Sequence, residues 1–144
     1  MSAYFNTPER IERLQAAARS WRGTPFAPNS ASKGHGVSCQ KLVQHIYAEA
    51  GWKDIETPEV PMAHAMFSDR SYVMEFMMGC KDFAEVSSPE VGDLVGIWMG
   101  RCVHHLGIVI SPGVIVHCWH RLGVVEQPLA TITGRVGAIW RPLE

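Results

Sequence analysis

The sequence predicts an α+β domain in which N-terminal helices pack on an antiparallel sheet. Apolar residues of the first half recur at the spacing of helix faces, whereas the second half consists of short β-rich runs separated by turn residues. Helices followed by consecutive strands are typical of the α+β class, since a parallel sheet would alternate the two. The 144 residues have the size of one domain, and residues 1–144 are predicted to fold as a single unit.

Three helical segments are predicted in the first half. The first covers residues 8–22, with Asn6 or Thr7 as its cap and a proline at its first position. The second begins near Cys39 and continues to residue 50, because its apolar residues share one face. Residues 58–79 are rich in methionine and phenylalanine and are predicted to form one or two shorter helices.

Five strands are predicted in the second half, separated by segments that carry Gly, Pro, Asp and Ser turn residues. The turn at residues 111–113 makes the second and third of these strands an antiparallel hairpin. The predicted strands cover residues 94–99, 106–110, 114–119, 124–128 and 136–141.

Composition argues against several classes of function. The formal net charge of −1 gives no electrostatic reason to expect nucleic acid as a partner. The longest apolar runs are of strand length, so no membrane insertion is expected. Residues 1–8 lack the basic and apolar regions of a secretory signal. We therefore expect a protein made in the cytoplasm, with its cysteines at positions 39, 80, 102 and 118 as free thiols.

Cys39 lies where a Gly-rich loop meets the second predicted helix. The free N–H groups at a helix N-terminus favour a thiolate and can stabilise an oxyanion beside the sulfur. Cys39 is therefore a candidate nucleophile, and we expect it to be the most reactive thiol of the chain. Position alone favours this interpretation no more than the alternative of a buried structural cysteine.

Two histidines on neighbouring strands strengthen the case for catalysis. His105 opens one strand of the predicted hairpin and His117 lies within the other, so the turn places them about opposite each other. One imidazole can then orient the other, which completes the order of nucleophile, base and orienting residue that a thiol hydrolase requires.

A zinc site is the competing interpretation of the same two strands. Cys102 and His104 share one side of their strand, and Cys118 and His120 share one side of the next. Two cysteines and two histidines can hold zinc tetrahedrally, but C-x-H is not a usual zinc spacing. We therefore expect neither a metal nor any other cofactor.

Five segments resemble the motifs of the NlpC family of papain-like cell-wall peptidases, in the same order and at similar spacing. The family's D-C-S-G-L-V segment holds the nucleophile and is matched by S-C-Q-K-L-V at residues 38–43. Its H-V-G-I-Y-L strand holds the base and is matched by H-L-G-I-V-I at residues 105–110. The remaining matches are W-R-G-T-P-F at residues 21–26, G-D-L-V at residues 92–95 and V-I-V-H at residues 114–117.

The resemblance implies a papain-like fold in which N-terminal helices pack on a five- to six-stranded antiparallel sheet. It implies that Cys39 attacks a carbonyl, that His105 takes and returns the proton, and that His117 holds the ring of His105. Five residues around these motifs are assigned to substrate binding: Phe26, Ser38, Gln40, His104 and Trp119.

Four positions depart from the family's pattern. Ser38 replaces an aspartate that is implicated in binding the substrate's amine, and Gln40 with Lys41 replaces Ser-Gly. Phe26 stands where a tyrosine hydroxyl often assists the oxyanion hole. We therefore expect a relaxed demand for a free amine on the substrate.

The phage-tail and gene-transfer-agent branch of the family is the most similar. It shares the short leaderless chain, the K-G-x-G segment at residues 33–36 and the G-V-V-E-x-P-L stretch at residues 123–129. This resemblance implies hydrolysis of the peptide stems of peptidoglycan, with phage-tail proteins as partners and delivery to the wall by a tail. The alternatives are a papain-like acyltransferase or isopeptidase with another substrate, and a catalytically silent tail module.

Overall fold

The computed structural model describes residues 1–61 and 63–144, so Met62, within the predicted helical region 58–79, lies outside the described residues. None of the described helices is long and apolar enough to cross a membrane. The described helices are α1 (Pro8–Ser20), α2 (Cys39–Glu49), α3 (His64–Phe67) and α4 (Tyr72–Met78).

The strands of the second half form one antiparallel sheet, which confirms the predicted α+β class, and its six strands agree with the five to six that the family resemblance implies. The spatial order of its six strands is β3-β8-β4-β5-β6-β7, and a small separate sheet pairs β1 with β2. The bounds are β1 (Ala31–Ser32), β2 (Gly36–Val37), β3 (Phe83–Val86), β4 (Leu94–Met99), β5 (Cys102–Ser111), β6 (Val114–Trp119), β7 (Gly123–Pro128) and β8 (Val136–Pro142).

Capping residues place the starts of the two long helices. The Thr7 side chain accepts a hydrogen bond from the Arg10 N–H, with Pro8 in the first turn of α1. Ser38 caps α2 in the same way and accepts from the Lys41 N–H. The cap at Ser38 makes Cys39 the first residue of α2, as the sequence predicts.

Helix α2 packs on one face of the sheet through side chains that are fully buried. Its residues Leu42, Val43, Ile46 and Tyr47 belong to the same core as Leu94, Leu106 and Ile108 of the sheet. The Tyr47 hydroxyl donates to the carbonyl of Gly92 at 2.8 Å, which ties the later part of α2 to the start of β4. The helix that carries Cys39 is therefore held against the sheet by both apolar and polar contacts.

The opposite face of the sheet carries a smaller core. Val95, Ile97, Val109 and Ile115 are buried there. The segment between β7 and β8 covers them with Leu129 and Ile132, and its two short 3₁₀ turns cover Leu129–Thr131 and Thr133–Arg135. This covering segment lies close to the histidines of the candidate site.

Two strand assignments from the sequence are incomplete. Strand β3 was not predicted, because its four residues are bounded by polar segments. They adopt strand structure by pairing with β8. Strand β5 begins at Cys102 rather than at residue 106, since its first residues pair with the end of β4. A register shift between Ile97 and Trp98 lies opposite His104, so that one residue of β5 is extra at this point.

Candidate active site

Cys39 and His105 line the same small cavity, of about 60 Å³. Cys39 enters it from the first turn of α2, and His105 from the irregular start of β5. Both side chains are almost completely buried. The cavity brings together the two residues that the sequence assigns to the nucleophile and the base.

His105 and His117 are hydrogen-bonded, with 2.7 Å between His105 Nε2 and His117 Nδ1. They are diagonal neighbours, because the residue directly opposite His117 is Gly107. The sequence-based register was therefore wrong by two residues, since the hairpin turn closes later than its assumed centre. Gly107 leaves room for this diagonal contact: a Cβ there would lie 3.3 Å from His117 Cβ.

The bond to His117 determines which nitrogen of His105 can serve Cys39. Since Nε2 is engaged by His117, Nδ1 is the ring nitrogen that remains for the cavity. This is the geometry of a base held from behind by a third residue.

Burial favours the neutral forms of both Cys39 and His105. It raises the pKa of Cys39 to about 12, although the backbone N–H groups of Leu106 and Gln40 act in the opposite direction. Burial also lowers the pKa of His105 well below its usual value, and the nearby His117 contributes. Burial therefore opposes the thiolate that the helix N-terminus favours, and its effect on the pKa of Cys39 is the larger of the two.

This burial predicts the order in which the thiols are alkylated. We expect iodoacetamide near neutral pH to label Cys80 before Cys39, because Cys80 is partly exposed whereas Cys39 is buried with a raised pKa. Cys118 is a matched control, since burial raises its pKa to about 12 as well. Peptide mapping over time checks the order. Labelling of Cys39 first would restore the sequence-based expectation that it is the most reactive thiol.

Four of the five residues assigned to substrate binding line the cavity with Cys39: Phe26, Ser38, Gln40 and His104. Trp119 does not; it lines a second cavity behind the histidines. Its ring centroid lies 5.5 Å from that of His105 and 6.1 Å from that of His117. Trp119 therefore lies beside the imidazoles of His105 and His117, and its assignment to substrate binding stays a prediction.

A carboxylate that sequence reasoning missed lies beside Ser38. The Ser38 hydroxyl donates to Glu59 Oε2 at 3.1 Å, and the Asn29 N–H donates to Glu59 Oε1 at 3.1 Å. Glu59 also lines the cavity and, after burial, acts to raise the pKa of Cys39. No motif pointed to it, because 21 positions separate it from Ser38 and only the folded loops bring the two together.

Gln40 brings an amide group to the cavity wall. Its side chain is 2% exposed, and its Nε2 has no hydrogen-bond partner among residues 1–61 and 63–144. A buried N–H group of this kind costs free energy unless a ligand or water completes it. Gln40 is therefore a candidate donor to a bound substrate.

The residues of the zinc alternative have other contacts. Cys118 is fully buried in the main core, and its thiol donates to the Val37 carbonyl at 3.3 Å. His104 instead faces the cavity and His64, with 6.3 Å between their ring centroids. Among the described residues, no group of three or more His, Cys, Asp or Glu side chains is placed to hold a metal. Absence of zinc stays a prediction, and elemental analysis of the purified protein tests it.

No family model and no curated protein matches this chain in sequence. Solved structures match it in fold. The NlpC/p60 domain of the peptidoglycan hydrolase SagA has a TM-score of 0.62 at 15% identity, over 90% of this chain and 96% of that one. A Staphylococcus aureus protein described as similar to a lipoprotein of the NLP/P60 family has a TM-score of 0.69 at 19% identity, over 100% of this chain and 45% of that one.

A third match shows how far the fold can be separated from catalysis. RipD from Mycobacterium tuberculosis is described as a non-catalytic NlpC/p60 domain protein adapted to peptidoglycan binding. Its TM-score is 0.58 at 15% identity, over 94% of this chain and 98% of that one. Activity therefore has to be argued from the site. The chain has the NlpC/p60 fold.

Proposed function

We propose that this protein is a cysteine peptidase that hydrolyses amide bonds in the peptide stems of bacterial peptidoglycan. The observation that carries the proposal is the shared cavity of Cys39 and His105, with His105 held at 2.7 Å by His117. A non-catalytic module would not require Cys39, His105 and His117 to be placed together in this way. The fold is shared with SagA, which is described as a peptidoglycan hydrolase.

The proposed reaction begins with a neutral pair. Cys39 Sγ attacks the substrate carbonyl while its proton passes to His105 Nδ1, so that charge forms only with substrate present. His105 then returns the proton to the leaving amine, and water hydrolyses the thioester through the same base. Lys41 N–H is taken by the Ser38 cap, so the N–H groups of Cys39 and Gln40 at the start of α2 support the oxyanion, and the Gln40 side-chain amide adds a further donor.

Glu59 changes the expectation for substrate selectivity. From the sequence alone, the absence of a carboxylate at position 38 predicts a relaxed demand for a free amine on the substrate. Glu59 brings a carboxylate within 3.1 Å of the Ser38 hydroxyl, on the wall of the cavity. We therefore propose that the protein prefers stem peptides with a free, protonated amine, with Glu59 as the anionic partner.

Replacement of Glu59 by glutamine tests this preference. Glutamine keeps an acceptor for Asn29 and Ser38 but removes the charge, so we expect the KM for a free-amine stem peptide to rise about tenfold. The N-acylated peptide should be cut at an unchanged rate. Glu56→Gln is the matched control, because Glu56 is exposed on the same segment. An equal effect on both peptides would refute the assignment of Glu59.

The proposed function is tested by incubating the protein with purified muropeptides and identifying the products by mass spectrometry. We expect cleavage within the stem, with a D-glutamyl bond to a diamino acid as the first candidate. The same incubation with Cys39→Ala controls for contaminating hydrolases. No cleavage of any stem would favour an acyltransferase or isopeptidase with another substrate, or a silent module.

Tail association is a separate part of the proposal. It rests on the resemblance of residues 33–36 and 123–129 to the phage-tail and gene-transfer-agent branch. In this proposal the protein is made in the cytoplasm, and tail proteins carry it to the wall. Proteomic analysis of purified particles from the source strain tests this: the protein should co-purify with tail components, and its absence from such particles would contradict the association.

A further inference from the structure

A chain of hydrogen bonds continues from His117 beyond the three catalytic residues. His117 Nε2 lies 2.8 Å from Gln127 Oε1 on β7. Gln127 Nε2 donates to Thr131 Oγ1 at 2.7 Å, and the Thr131 hydroxyl donates to the Pro128 carbonyl at 2.7 Å. The chain thus joins the site to the 3₁₀ turn that follows β7.

The chemistry of these groups gives every bond a direction. The Pro128 carbonyl can only accept, so the Thr131 oxygen is left to accept from the Gln127 amide nitrogen. The Gln127 oxygen must then face His117, and it too can only accept. His117 Nε2 therefore carries a hydrogen.

The same reasoning extends to His105. A neutral His117 with its hydrogen on Nε2 has a bare Nδ1, which can only accept. His105 Nε2, 2.7 Å away, must therefore carry a hydrogen and donate it. Neutral His105 is then left with a bare Nδ1, which is the nitrogen available to the thiol of Cys39.

We infer that Gln127 and Thr131 are positioning residues that select the tautomers of both histidines and so keep His105 Nδ1 free to accept a proton. The role rests on the proposed function, because it matters only if His105 is the base. Burial lowers the pKa of His117, and the hydrogen bond to Gln127 acts to raise it, as expected for an acceptor that faces Nε2–H.

We call the hydrogen-bonded chain of Thr131, Gln127 and His117 the relay. The opposite orientation of the Gln127 amide shows which tautomers the relay prevents. Its NH₂ group would then face His117 Nε2 and move the histidine's hydrogen to Nδ1. That hydrogen would point at His105 Nε2 and leave the hydrogen of neutral His105 on Nδ1, facing Cys39. His105 Nδ1 could then not accept the proton of the Cys39 thiol. The two histidines would have to change tautomer before each attack.

Nitrogen NMR of the ¹⁵N-histidine-labelled resting protein tests the inference directly. At a pH where both rings are neutral, we expect His105 and His117 to carry hydrogen on Nε2 and not on Nδ1. In Gln127→Leu, which has no acceptor, His117 should populate the Nδ1–H form. An Nδ1–H tautomer of His117 in the unmodified protein, or unchanged tautomers in Gln127→Leu, would overturn the inference. These spectra need no substrate, so they stand even if the proposed function fails.

Measurement of kcat and KM on a muropeptide is the second test of the inference. Gln127→Leu should lower kcat roughly tenfold with little change in KM, because one hydrogen bond that orders the base is lost. Gln127→Glu should recover most of this loss, since its carboxylate accepts from His117 Nε2–H. Failure of glutamate to recover more activity than leucine would contradict the role.

Thr131→Val and Thr133→Val form a matched pair. The Thr131 hydroxyl holds the Gln127 amide, whereas the Thr133 hydroxyl donates to the Leu129 carbonyl at 3.1 Å in the same turn region. Both threonines are exposed, so neither variant should unfold the protein. We expect Thr131→Val to lower kcat and Thr133→Val to leave it unchanged. Equal effects of the two variants on kcat would contradict a positioning role of Thr131, because the turn as a whole would then be responsible.

Discussion

Replacement of Cys39 by alanine is expected to lower the rate of stem-peptide hydrolysis on the order of 10⁴-fold or more, because the nucleophile is removed outright. The first turn of α2 should keep its structure, since the Ser38 cap does not involve the Cys39 side chain. Rates of product release, measured by chromatography and mass spectrometry at saturating peptide, provide the readout.

Cys118→Ala is the matched control for this experiment. Cys118 is also buried, and burial raises its pKa to about 12, but its thiol donates to the Val37 carbonyl within the core. We expect this variant to be less stable to heat and to retain most of its kcat at a temperature where it is folded. A comparable loss in both variants would mean that Cys39 acts through packing and would refute its role as nucleophile.

Replacement of His105 by alanine should cost more activity than replacement of His117 by asparagine. His105 is the group that takes and returns the proton, so its loss is expected to lower kcat about 10³-fold or more. The side chain introduced by His117→Asn would still offer an amide oxygen to His105 Nε2–H. We expect a loss of about 10- to 100-fold, the range seen when the orienting partner of a metal-bound histidine is removed. The values of kcat for the two variants on one peptide decide the order.

His120→Asn controls for the loss of a nearby imidazole. His120 is exposed and lies near the end of β6; burial is the main cause of the lowered pKa of His105, and His120 contributes only through its charge. We expect the kcat of this variant to stay within about twofold of that of the unmodified protein, as for most exposed side chains outside a site. Equal losses for His105→Ala and His117→Asn would contradict the division into base and orienting residue.

The spacing of residues accounts for much of the fold and for the choice of Cys39, His105 and His117 as the proposed catalytic residues. Helix starts at Pro8 and Cys39 follow from local capping, which neighbouring residues complete within one turn. The strands at residues 94–99 and 114–119 follow from local β-rich patterns between turns. Strand β3 could not be predicted in this way, because pairing with the distant β8 is what makes it a strand.

The local sequence determined that a cysteine begins a helix and that two histidines lie on one hairpin. Tertiary structure decided how these residues act. It set the diagonal register of His105 and His117, buried the Cys39 thiol, and placed Trp119 behind the histidines. It also brought Glu59 to Ser38 and Gln127 to His117. The physical reason is that desolvation and hydrogen bonds between distant segments depend on which surfaces meet after folding, whereas caps and strand alternation depend on near neighbours in the chain.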